Sequence, residues 1–224
     1  MGVGLVVLVG CSRQESTATR DSAPIPSAAP TPLVAPPASP LDRIRGAPSL
    51  AAALAIAKPH MVDSDDEMDG GTALLGVWAS RSMEWSDVAV ATAETSYALV
   101  QKDSATERGK RLCVSGMIVE IHVDRVKNQP DQPATYNGNL MSDGNVFSFV
   151  AVGDTGTLVA QSFARLCGVV TGAHHYSNSA GGRTHAVWMV GMFDLPSNRA
   201  AKRRTAAPSA TPSIISVTDL PKAK

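Results

Sequence analysis

The sequence predicts a mainly β protein: a five-stranded Greek-key barrel with one or two α-helices before it and disordered segments at both ends. Three observations carry this expectation. Five runs of strand composition lie at residues 110–124, 136–141, 145–152, 164–176 and 184–195. The first run is long and holds Gly116, and a glycine inside a strand-like run marks a bulge or a sharp bend. Asp143-Gly144 joins the second and third runs as a hairpin, while a longer connection separates the third from the fourth, which is Greek-key spacing.

Composition bounds the rest. Of 15 prolines in the 224 residues, eight fall between Pro24 and Pro48, which argues against a core there. Roughly 150 residues remain for one globular domain, enough to bury a core. Twenty basic and 20 acidic residues leave no net charge, so a dedicated nucleic-acid binder, which is usually basic, is not expected. Four Phe, three Trp and three Tyr are too few for extensive stacking surfaces, so nucleic acid is not an expected partner.

In chain order, residues 1–10 are apolar and glycine-rich and run into Cys11. Leu8-Val9-Gly10-Cys11 resembles the lipobox of bacterial lipoproteins. The resemblance implies that residues 1–11 are a signal and lipidation site, with Cys11 acylated on sulfur and holding the protein at a membrane. Several acyl chains together anchor where one does not. Ten residues without a basic start are short for such a signal, so the natural start is expected upstream of Met1. Residues 12–48, rich in Pro, Ala and Ser, read as a tether. At about 3.1 Å per residue in polyproline form it reaches on the order of 100 Å.

Residues 49–101 form the expected helical preface. Residues 49–58 are alanine-rich with Leu50, Leu54 and Ile56, ending before Pro59; Leu74, Leu75, Trp78 and Met83 repeat near helical spacing. Trp78 and Trp85 read as packing residues. Between these segments lies an acidic run from Asp63 to Gly70. Counted from Asp63, calcium-loop positions six and twelve hold Met68 and Leu74; counted from Asp65, Gly70 fits but Gly76 falls at the twelfth. A solvated acidic loop is expected instead. Residues 102–198 comprise the barrel, with Asn137-Gly138 as a further turn signal. Residues 199–224 read as a disordered tail that opens with Arg199, Lys202, Arg203 and Arg204.

The barrel residues also resemble a family. Arg108-Gly109-Lys110 followed by Val114-Ser115-Gly116-Met117-Ile118-Val119, together with Gly168-Val169-Val170-Thr171-Gly172 and Gly181-Gly182, is similar to bacterial lipoproteins and exported proteins with an OB-fold domain of the tRNA-anticodon-binding-like group. The resemblance spans residues 102–195 and implies an OB-like barrel whose first strand lies beside the fourth. Cys113 and Cys167 sit in identical Arg-Leu-Cys triplets at the starts of those two strands. With Cys11 lipidated, the other two cysteines form an even pair, and a Cys113–Cys167 disulfide is expected in an exported protein.

No hydrolase elbow, zinc-protease helix or phosphate-cradling glycine loop is present. His60, His122, His174, His175 and His185 read as surface or loop histidines, since adjacent His174 and His175 point to opposite strand faces. Neither metal nor cofactor is expected. OB-like domains bind across their second and third strands and the flanking loops. That face nominates Tyr136, Phe147, Phe149, Tyr176 and Arg183 as ligand-binding residues. The expected function is a lipid-anchored cell-envelope protein, on the periplasmic or outer-surface side, with a non-catalytic binding or adaptor domain for another envelope protein. Binding of an oligonucleotide or oligosaccharide on the barrel face is the alternative, and an enzyme with an unrecognised site the second; any small-molecule ligand is unspecified.

Overall fold

In the computed structural model, which describes residues 38–65, 67–125, 133–177 and 181–201, the chain is mainly β and builds one mixed six-stranded sheet. The strands are β1 (Ser64–Asp65), β2 (Arg111–Asp124), β3 (Thr135–Ser142), β4 (Asn145–Val152), β5 (Phe163–Ser177) and β6 (Arg183–Phe193). The five expected strands are β2 to β6, each within two residues of its expected ends. β2, β3 and β4 form an antiparallel meander. Asp143 and Gly144 both take positive φ (49° and 75°), as a two-residue hairpin turn requires. β4 then pairs parallel with β6, β6 antiparallel with β5, and β5 antiparallel with β2. Pairing therefore runs from β5 through β2, β3, β4 and β6 and returns to β5.

Side-chain alternation splits the core in two. On one face, Phe147, Phe149 and Ala151 of β4 pack with Ile118, Leu140, Leu166, Met189 and Phe193. On the other, Val150 and Val152 pack with Val169, Val190 and Met192 beneath the helices. β4 is therefore buried on both sides along almost its whole length.

Among the described residues seven α-helices accompany the sheet, six of them before β2, where one or two were expected. They are α1 (Pro40–Arg45), α2 (Leu50–Ala57), α3 (Gly70–Ser82), α4 (Trp85–Val88), α5 (Tyr97–Lys102), α6 (Ser104–Glu107) and α7 (Pro196–Ala200). α3 is the principal cover of the second face. Asp69 caps it by accepting from the N–H groups of Gly71 (2.8 Å) and Thr72 (3.0 Å), and Leu75, Trp78 and Ala79 are buried below it. Among the described residues no helix is long and apolar enough to cross a membrane.

Several expectations need correction. The tether was expected to reach Pro48, yet α1 is folded and Ile44 is fully buried. Pro40 sits at the first turn of α1 behind a Ser39 cap, where proline's fixed φ starts a helix and costs no hydrogen bond. The Trp78 indole N–H donates to the Ala47 carbonyl at 2.9 Å, which ties that segment to α3. The acidic run is not a free loop. Ser64–Asp65 is a strand, Asp69 is a buried cap, and Asp63 accepts from the Ala173 N–H (2.9 Å) and from Arg108 (2.8 Å). Arg199, placed in the tail, belongs to α7 and donates to Asp194 at 2.5 Å. Asn137-Gly138 lies inside β3 rather than at a turn. Gly116 is not a bulge; the register shift falls between Ile118 and Glu120. A Cβ on Gly116 would lie 2.1 Å from the Met141 carbonyl oxygen, so the glycine permits a close strand approach. Cys11 with residues 1–37, and residues 202–224, lie outside the described residues.

Candidate binding groove

A groove of about 380 Å³ lies beside the nominated Tyr136, where α3 ends, β3 begins, β4 ends and α7 starts. Each wall follows from local chemistry. α3 stops at Ser82, and Glu84 and Asp87 form a reciprocal capping box that restarts the chain as α4, leaving Arg81 and Met83 on the groove wall. β4 ends at Val152, and Gly153, with its positive φ, turns the chain into Asp154. Asn198, buried in α7, fastens that turn: its amide oxygen accepts from the Asp154 N–H, and its NH₂ donates to the carbonyls of Asp154 and Phe193. Tyr136, half-buried at the start of β3, and Met192 complete the wall.

The groove carries opposite charges. A hydrogen bond from Ser197, joined by the Gly156 N–H, holds the Asp154 carboxyl below the usual carboxylate range, so this wall stays anionic at neutral pH. Arg81 supplies a cation among the lining residues. The methionines Met83 and Met192 give an adaptable apolar floor. A smaller cavity of about 200 Å³ lies between α3 and the same sheet face, lined by Met68, Gly76, Val150 and Asn137, whose buried side-chain oxygen has no hydrogen-bond partner.

The nominated residues do not converge. Tyr136 lines the groove. Phe147 and Phe149 are 3% and 0% exposed and form the core between the strands, so neither presents a stacking face to a ligand. Arg183 bonds the Asp65 carboxylate. Tyr176 is a strand residue opposite Thr184, with only its backbone described. The pairing Tyr136↔Ala151 sets Tyr136 at the far end of β4 from Val146, which aligns with Ala186 near Arg183. Cys113 and Cys167 are directly paired and disulfide-bonded, as expected.

A polar chain running from exposed Glu120 inward to buried His174 was not foreseen. Asn139 donates to the Glu120 carboxylate (2.6 Å), which turns its amide oxygen toward Ser148. The Ser148 hydroxyl donates to that oxygen (2.6 Å) and lies 2.7 Å from His174 Nε2. With the serine proton committed to Asn139, His174 Nε2 is the donor to Ser148. The His174 ring stacks on Trp188 with centroids 5.0 Å apart. A serine–histidine contact has the composition of a nucleophile and base. Here Ser148 and His174 are 2% and 5% exposed, so the pair faces no solvent-filled site and joins strands instead. The expectation of surface histidines fails at His174. Its signal in the sequence was slight, because only strand register brings residues 139, 148 and 174 together. His174 and His175 do point apart: His175 meets His185 with centroids 4.4 Å apart and lies 3.5 Å from Asp65. Among the described residues no cluster of three or more His, Cys, Asp or Glu is arranged to hold a metal ion.

Compared with known proteins, the chain matches no family model and no curated protein.

Proposed function

We propose that the chain is a lipid-anchored cell-envelope protein whose strands β2 to β6 form an OB-like barrel acting as a non-catalytic binding or adaptor module for another envelope protein. Cysteine pairing is the observation that carries this reading. Cys113 and Cys167 bond to each other, and of the three cysteines that leaves Cys11 alone, within Leu8-Val9-Gly10-Cys11. Disulfides persist in oxidising compartments, which suits the periplasm or an outer surface. The cyclic pairing order and the adjacency of β2 and β5 support the barrel reading. The groove at Tyr136 supports a binding role, since it offers a charge of each sign over a methionine floor.

Metabolic labelling with an alkyne-tagged palmitate tests the anchor. The parent chain should take up label and sediment with membranes, and Cys11→Ser should do neither. Labelling unchanged by that substitution would sink the anchor. For the adaptor role, a photo-crosslinking residue at Tyr136 should trap one discrete envelope protein. Trapping of a glycan or an oligonucleotide instead would replace the adaptor reading.

A further inference from the structure

We propose that the outer edge of β2 over residues 119–123 pairs antiparallel with the same strand of a second copy of this chain, across a two-fold axis at Ile121. β2 changes neighbours along its length. Arg111 to Met117 pair with β5, and Met117 to Asp124 pair with β3 on the other side. Ile118 closes the β5 side, its N–H donating to the Ser162 carbonyl and its carbonyl accepting from the Gln161 N–H. From Val119 onward, among the described residues, no backbone partner faces that side. The edge carries no lysine or proline over residues 119–124; the register shift at Val119 and the acids Glu120 and Asp124 are what restrict the partners it accepts.

The exposed apolar side chains gather at the same strand. Of the eight large hydrophobic residues exposed among the described residues, Met117, Val119 and Val123 belong to β2. Met141 and Phe163 are the direct cross-strand partners of Met117. Phe163 is 76% exposed. Met141, Met117 and Phe163 thus form an exposed apolar row across β3, β2 and β5 beside the start of this edge.

What identifies the occupant is the order of the residues. Val119-Glu120-Ile121-His122-Val123 is self-complementary when read against its own reverse. Antiparallel pairing centred on Ile121 sets Val119 opposite Val123, Ile121 opposite Ile121, and Glu120 opposite His122, twice, between the two copies. Directly opposed side chains in such a pair lie about 4.5–5.5 Å apart, close enough for the imidazole N–H to reach the carboxylate. Glu120 and His122 already share a face, 3.4 Å apart within one chain. Neighbouring registers are worse. Centring on His122 opposes Glu120 to Asp124, and centring on Glu120 opposes two carboxylates. A two-fold contact uses the same patch on both copies and closes at a dimer, so the edge does not propagate into a fibre.

Sedimentation equilibrium on the full 224-residue chain tests this. A concentration-dependent dimer is expected. His122→Glu opposes carboxylates at two positions and should weaken the dimer about tenfold or more. The exchange Glu120→His with His122→Glu restores the opposition with the charges reversed and should recover the parent dissociation constant to within a few-fold. That recovery also shows that the variants fold. A monomer at all concentrations, a dimer indifferent to His122→Glu, or a double exchange that fails to recover would each overturn the proposal. So would a dimer abolished by Phe163→Glu and untouched at His122, which would assign association to the apolar patch alone.

Discussion

At the scale of single residues, position in the tertiary fold decides what each polar group does. Asp63 reads in the sequence as one more acid in a run, yet it fastens Ser104, Arg108 and the Ala173 N–H. Burial raises its pKa, but the hydrogen bonds from Ser104, Ala173 and Arg108 outweigh that and hold it below the usual carboxylate range. Asp194 moves the same way, chiefly through Arg199. A carboxyl with a lower pKa folded than unfolded contributes stability above its unfolded pKa, and loses it as pH falls through the folded value. The urea midpoint should therefore be level near neutrality and fall from about pH 4 downward. Asp63→Asn should lower the midpoint at pH 7 and flatten the acid fall. A parent midpoint that holds level into acid would contradict this assignment. The aromatic candidates teach the converse. Phe147 and Phe149 share one strand face, which the sequence could assign equally to a ligand or to the core, and only the packed partners decide for the core.

At the scale of elements, the sheet was the legible part. Alternation, the Asp143-Gly144 turn and the paired Arg-Leu-Cys triplets place β2 to β6 and the disulfide, because each signal is local or repeated. The bridge spans 54 residues of sequence, and closing such a loop in the unfolded chain is worth about 4 kcal/mol in the chain-entropy description. Replacing Cys113 and Cys167 together by alanine should lower the unfolding free energy by about that amount. Reductant should then have no further effect on the variant's denaturation midpoint. Equal stability with and without the bridge would show that β2 and β5 are held by their ladder alone. β1 was missed for a physical reason. Two residues between acidic neighbours have no period to detect, and they become a strand only because β5 extends past β2 and offers an edge at His174 and His175.

At the scale of the whole molecule, the helices and the sheet share one core. Ile44, Leu75 and Trp78 pack with Val150, Val190 and Met192, so α1 to α3 are part of the domain rather than a preface. Removing residues 1–37 should leave thermal stability close to that of the parent. Removing residues 1–48 strips Ile44 and the Ala47 carbonyl that Trp78 uses, and should cost about 2–5 kcal/mol. Equal stability of the two truncations would return the boundary to Pro48. The groove at Tyr136 belongs to this scale too, because its walls come from α3, β3, β4 and α7, which are distant in sequence. The sequence by itself determined the mainly β class, the five long strands and the hairpin, since periodicity, turn chemistry and residue identity act over a few positions; it nominated Cys113 and Cys167 as a pair, and strand register brought them into bonding distance. The tertiary structure alone decided the start of the fold, the roles of Asp63, Phe149 and His174, the groove and the open edge of β2. Each of these depends on which distant surfaces meet, and burial is a property of that meeting rather than of the residue.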